Sequence, residues 1–448
     1  MVLGVFALCV VMYGLTRPGR APPRLWRPVL VPAGQPTTEG GDIPRLPTFK
    51  PPPDYGPVTV TENVEPLPMN KRVPLMCTVN NAFGPSDMLP PDGMCDAIFY
   101  DSLYRDGRNA LTGTYDAGLE HFLELGQGMQ FTGIGVSFDV HMNVGKFDVR
   151  SPDVTSGLLK LWNRGVTHFG ALRVYGNGTG EEEVIAFLSF LQIVPQVVES
   201  TIQERMSTSR HYTVLGVSYN REASYENVIR HMKNVYKPFV YVVVLQVPYL
   251  DKELLTCLIL PPTLLDTPQG ASQPNLSNVM EVMRHIQRVL SHEVHIHMAI
   301  SFTLRARLYK PADLSGNDLA FYKPLRKCQD YVGDSDISPT SVCKDCYTSN
   351  FNYFGDRESA FTFDPQEERT VTYDTQITIK TKVCKAKMAY PDLQFGIAAF
   401  DVNLDIADTV CNDLQLEAGN FTRLSVLSKM HNYISNSATT FQECMNVA

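Results

Sequence analysis

Between residues 73 and 302 short apolar runs alternate with amphipathic stretches, and that alternation limits the chain to very few folds. The runs are Val73–Val79, Cys95–Tyr100, Gln130–Ser137, Val166–Tyr175, Tyr212–Tyr219, Phe239–Val247 and Val294–Phe302. Helical periodicity fills the gaps at Tyr115–Leu125, Pro152–Asn163, Glu181–Arg205, Tyr225–Val235 and Asn278–Leu290. The last of these places Val279, Val282, Met283, Ile286 and Val289 on one face. With Phe395–Phe400 as an eighth strand, repeated strand and helix argue for an α/β fold built as a (β/α)8 TIM barrel. Once the first 69 residues are set aside, roughly 380 remain, a size that suits one decorated barrel.

The stretch Phe361–Cys411 carries the closing elements. Arg369–Tyr373 is a β-branched alternation ended by Asp374, Phe395–Phe400 is a continuous apolar run, and Thr378–Met388 between them has helical spacing. Lys380, Lys382, Lys385 and Lys387 are expected on that helix's solvent side. Strand, helix and strand here read as the closing unit of a parallel sheet.

These residues resemble glycoside hydrolase family 18, the chitinases and chitinase-like proteins. The pattern is Tyr373-Asp374, Thr378-Ile379, Lys382, and then Gly396-Ile397-Ala398-Ala399-Phe400-Asp401. In that family the last strand ends in a Trp that floors the sugar site, and Phe400 stands in its place. The likeness extends to the start, where it implies a disulfide between Cys77 and Cys95 and a sugar-lining role for Tyr100. Gly133-Ile134-Gly135 looks like a worn form of the family's Ser-x-Gly-Gly. Residues 70–448 are covered, and the family's α+β insertion after the seventh strand corresponds to about 305–358.

The fourth strand determines what the resemblance implies about activity. Active members end it in Asp-x-x-Asp-x-Asp-x-Glu, whose Glu protonates the glycosidic oxygen while the substrate acetamide acts as nucleophile. Here Phe169, Leu172, Val174 and Gly176 fall on the four acidic positions, with Tyr175 where a Trp often stands. A shift of register does not restore the acids, because Thr167–Gly180 contains no Asp or Glu. Glu181, Glu182 and Glu183 come next, where they suit the first turn of a helix. The implied function is a catalytically inactive chitinase-like protein that binds chitooligosaccharide or N-acetylglucosamine glycans through Tyr100, Tyr175 and Phe400. The alternative is a barrel scaffold that binds a protein partner; an active glycosidase is the least favoured reading.

The remaining signals concern location. Val2–Leu15 is an uncharged apolar run, shorter than a bilayer span, so residues 1–15 read as a signal peptide or signal anchor, and residues 2–15 could tether the chain to a membrane. Arg17, Arg20, Arg24 and Arg27 would by the positive-inside rule orient the downstream domain toward the cytoplasm. The cysteines and sequons argue for the exterior, so the expectation is a cleaved leader or a start upstream of Met1. Residues 16–69 hold nearly half of the 31 prolines and read as an extended linker.

Nine cysteines lie beyond the leader, at 77, 95, 257, 328, 343, 346, 384, 411 and 444, and the odd number leaves one thiol free or paired between chains. Asn177, Asn275 and Asn420 head glycosylation sequons, and the expected location is extracellular, with membrane anchoring as the alternative. Cys343-x-x-Cys346 lacks a second pair or a nearby histidine pair and reads as disulfide rather than metal. His292, His295 and His297 read as structural or surface residues, and Asp139 and His141 as loop polar groups. No metal and no cofactor is expected. A net charge of -8 shows no basic stripe, which excludes nucleic acid as an expected partner.

Overall fold

The computed structural model describes residues 72–447 except for 140–141, 143–147, 176–179, 203–210, 219–221, 246–256, 267–276, 293, 313–318, 344–346, 348, 356–357, 406–413 and 436–439. The leader, the proline-rich stretch, Asn177 and Asn275 therefore lie outside the described residues. Strands β1 (Met76–Val79), β2 (Ala97–Leu103), β3 (Gly133–Phe138), β4 (Val166–Tyr175), β5 (Thr213–Ser218), β6 (Val240–Val244) and β7 (His297–Thr303) come first. Between them run α1 (Ala117–Gly126), α2 (Pro152–Trp162), α3 (Gly180–Ile202), α4 (Glu222–Asn234) and α5 (Val279–Ser291). An antiparallel sheet comes next, made of β8 (Ala306–Pro311), β9 (Cys328–Ile337), β10 (Asn352–Phe354), β11 (Ser359–Asp364) and β12 (Arg369–Tyr373). The chain then completes the barrel with α6 (Gln376–Ala389) and β13 (Gly396–Phe400), and ends with α7 (Thr422–Ile434) and α8 (Phe441–Met445).

β1 pairs with β2 on one side and β13 on the other, both parallel, and the eight strands close in the order β1-β13-β7-β6-β5-β4-β3-β2. This is a (β/α)8 barrel with an antiparallel sheet inserted after its seventh strand. Strand periodicity sorts the side chains. Met76, Phe99, Leu172, Val214, Val242, Ala299, Ala398 and Phe400 pack inside the barrel, while Cys77, Ile98, Tyr100, Leu215, Val243 and Ile397 pack outward under the helices. Two glycines make room for the inner layer: a Cβ on Gly135 would lie 2.6 Å from the Phe99 ring, and one on Gly216 would lie 2.7 Å from the Leu172 carbonyl oxygen.

The closing unit is organised differently from the strand-helix-strand reading. β12 pairs antiparallel with β8 and β11, so Arg369–Tyr373 belongs to the inserted sheet, which reaches Tyr373 and not only Glu358. Period-two alternation is the same in either sheet, and only the partner strand decides. Two lysines expected in solvent are also buried. Lys382 is 0% exposed and forms an ion pair with Asp374, and Lys387 donates to the Leu393 carbonyl at 3.1 Å.

This burial explains the spacing that carries the resemblance. Asp374 leaves the inserted sheet and accepts from the Thr378 hydroxyl at 2.9 Å as well as from Lys382. Thr375 and Thr378 form a capping box, and Lys382 donates onward to the Thr263 carbonyl at 2.7 Å. Residues four and eight positions after Asp374 lie on one helix face above it. Burial pushes the Lys382 amine below its ordinary value despite the neighbouring carboxylate. Disulfides Cys77–Cys95, Cys257–Cys328 and Cys384–Cys444 tie β1 to the start of β2, the chain before β7 to β9, and α6 to α8. Cys343 is disulfide-bonded too.

Candidate functional site at the barrel mouth

The C-terminal ends of the barrel strands form a polar cup. Alternation directs Thr78, Asp101, Ser137, Ser218 and Thr303 inward there, with Phe400 level with Thr303 and the apolar layer that includes Phe99 beneath. Three backbone irregularities shape it. The register shifts between Asp101 and Leu103 in β2 and between Ala171 and Val174 in β4, and Asp401, just beyond β13, has φ 60°. Bulges re-aim side chains, and a left-handed aspartate persists only where its surroundings hold it.

Those irregularities bring together four charges from four strand ends. Arg173 forms ion pairs with Asp101 through Nε and with Asp401 through an Nη at 3.5 Å. Asp401 also accepts from the Thr303 hydroxyl at 2.5 Å, and Arg305 Nε stands 3.6 Å from it. The Asp401 N–H donates to Thr78 Oγ at 3.2 Å. All four charged side chains are buried, at 4% exposure or less. Burial opposes the charge on Arg173, but Asp101 and Asp401 outweigh it and hold the guanidinium above its ordinary value. Ser218 Oγ is buried in the cup without a hydrogen-bond partner among the described residues.

The structure redistributes the residues singled out by sequence. Phe169 and Val174 face outward into the helix-covered core, Leu172 faces inward, and Gly176 lies outside the described residues. The β4 bulge breaks the even alternation on which that register rests, and the strand's one formal charge at the axis is a cation, Arg173. Tyr100 is a correction. It faces outward between β2 and α1, 1% exposed, with its ring 5.6 Å from that of Phe122 and its hydroxyl 3.5 Å from Asn109 Nδ2. Phe99 and Asp101 hold the inward positions on either side, and burial raises the Tyr100 phenol. Phe400 does lie inside the barrel at its mouth, yet only 3% exposed, so its ring is core as it stands.

Tyr175 ends β4 opposite Ser218, and its side chain lies outside the described residues. Asn420 is exposed on the turn before α7. Asp139 is buried after β3, with His141 outside the described residues. His292 and His295 are exposed, and His297 packs 4.9 Å from the Phe239 ring. Sequence reasoning missed Asp101, Arg173, Arg305 and Asp401. A usable signal was present, since Arg173 is the one Asp, Glu, Lys or Arg in the ten residues of β4.

No protein-family model matches the chain, and no curated protein matches it. Solved structures do. A human pseudo-chitinase with retained chitooligosaccharide-binding properties aligns at 12% identity over 79% of this chain and 98% of its own, with a TM-score of 0.57. An immunomodulatory active chitinase from Trichuris suis aligns at 12% identity over 82% of this chain and 100% of its own, with a TM-score of 0.56. A chitinase-like agglutinin from Robinia pseudoacacia aligns at 13% identity over 81% and 100%, with a TM-score of 0.52. At such identities the likeness establishes the fold: this chain has the fold of the chitinases and chitinase-like proteins.

Proposed function

We propose that this is an extracellular chitinase-like protein without hydrolytic activity, whose barrel mouth receives chitooligosaccharide or another N-acetylglucosamine-containing glycan. One observation carries the first part. The end of β4 contributes one formal charge, the cation Arg173, and no carboxylate, since Thr167–Gly180 holds no Asp or Glu, and the carboxylates Arg173 meets, Asp101 and Asp401, are committed to buried ion pairs. A well-placed general acid contributes roughly 10²- to 10⁴-fold, and an arginine cannot replace it because it does not release its proton. Glu181, Glu182 and Glu183 fall in the first turn of α3, and their side chains lie outside the described residues.

The glycan part is supported by the fold shared with a pseudo-chitinase that binds chitooligosaccharides and by the cup of buried hydroxyls that includes Ser218, which has no hydrogen-bond partner among the described residues. The disulfides, the exposed sequon asparagine at 420 and the apolar leader support an extracellular address. A protein-binding scaffold is the second reading, and the burial of Tyr100 and Phe400, two of three expected stacking surfaces, favours it.

Calorimetric titration of the whole chain with chitotetraose, with the sugar analysed afterwards for cleavage, tests both parts. Binding with intact sugar is expected. Cleavage would overturn the inactive reading, and absence of heat at millimolar sugar would overturn the glycan reading in favour of the scaffold.

A further inference from the structure

The opposite, N-terminal rim of the barrel carries a feature that folding does not explain. Phe131, on the turn between α1 and β3, is 77% exposed. Burying such a ring stabilises a fold, so a ring held in water forgoes that contribution. The turn is rigid: the Asp92 carboxylate accepts from the N–H groups of Gln130, Phe131 and Thr132 at 2.8, 3.0 and 2.8 Å. Those bonds, Gln130's first, hold the Asp92 carboxyl below its ordinary value. Thr132 locks the turn further by donating to the Cys95 carbonyl at 3.0 Å, next to the Cys77–Cys95 bridge.

The ring borders a cavity of about 440 Å³ between the ends of α1 and α2 and the starts of β3 and β4. Gln127, Gln130, Asn163, Arg164 and Thr167 line it with amide, guanidinium and hydroxyl groups. Arg164, the one charged group in the lining, is already paired with Glu120 at 2.9 Å, so the lining offers mainly neutral hydrogen-bonding groups. Small-ligand sites fall in this size range; this one is open to solvent and mainly polar, with Phe131 as its aromatic wall.

We propose that Phe131 and this cavity form a second binding site for a neutral saccharide, separate from the mouth. The C–H face of a pyranose stacks on the Phe131 ring while its hydroxyls meet the amides and Thr167. With its one cation already paired, the lining gives an acidic sugar no advantage over a neutral one, and the position at the far rim leaves both sites free to bind together. The proposal does not depend on the mouth binding anything.

Titration of the full chain with chitotetraose and with cellotetraose, which lacks the acetamide, tests it. Phe131→Ala is expected to weaken one class of site about tenfold, and Phe131→Trp to restore it, with unchanged melting temperature because the ring makes no core contact. If the mouth also binds, Phe131→Ala weakens one class about tenfold and leaves the other unchanged. If the mouth binds nothing, Phe131→Ala weakens all the observed binding about tenfold. An unchanged isotherm in Phe131→Ala, or no binding of either sugar to the wild type at millimolar concentration, overturns the proposal.

Discussion

Replacing Arg173 by Leu is the sharpest probe of the barrel mouth. The side chain is 4% exposed and spans from β4 to Asp101 on β2 and Asp401 after β13, both 2% exposed. Leu fills much of the volume but leaves Asp101 buried without this cation, while Asp401 keeps Thr303 at 2.5 Å and Arg305 at 3.6 Å. Breaking a buried pair by removing one partner costs about 3–5 kcal/mol. For roughly 380 folded residues at about 2.1 cal/mol/K each, the unfolding entropy is near 0.8 kcal/mol/K, so the melting temperature should fall about 4–6 °C. Urea unfolding by circular dichroism should report the same loss in free energy. Asp101→Leu combined with Arg173→Leu removes both charges and should recover a large part of it. The reasoning is refuted if Arg173→Leu unfolds within about 0.5 kcal/mol of wild type, or if the double variant is no more stable than the single.

Acid should weaken the fold through three imidazoles. Burial holds His168 and His285 to about 3 and His431 to about 4, against 6.5 unperturbed. The unfolded chain therefore binds more protons between those values, and stability should fall as pH drops from about 6.5 toward 4. Melting curves across that range check it, and His431→Gln, which removes the acceptor for the Ile397 N–H, should flatten the slope. Cys384 and Cys444 are 60 residues apart, so replacing both with Ala should cost about 4 kcal/mol by loop entropy, read by urea unfolding. Secreted wild-type chain should lose more mass on enzymatic deglycosylation than Asn420→Gln, whose asparagine is exposed before α7.

Sequence alone determined the barrel, because burying strands on both faces and helices on one leaves a period that local composition records. It placed the ends of β4 to the residue, and it showed that no carboxylate lies in Thr167–Gly180. The recurrence of Asp374, Thr378 and Lys382 was visible as spacing, but its cause was not: a lysine reads as solvated until its buried acceptors are known. Tyr100 was in principle legible, since period two puts it opposite Phe99. Tertiary structure alone decided three things. β12 joined the inserted sheet because hydrogen-bonded partners, and not strand propensity, assign a strand to a sheet. The β4 bulge turned Arg173 toward the axis, a one-residue irregularity with no compositional mark. Asp101, Arg173, Arg305 and Asp401 meet at one point although up to 300 residues separate them, because closing the barrel brings β2, β4, β7 and β13 to a common end.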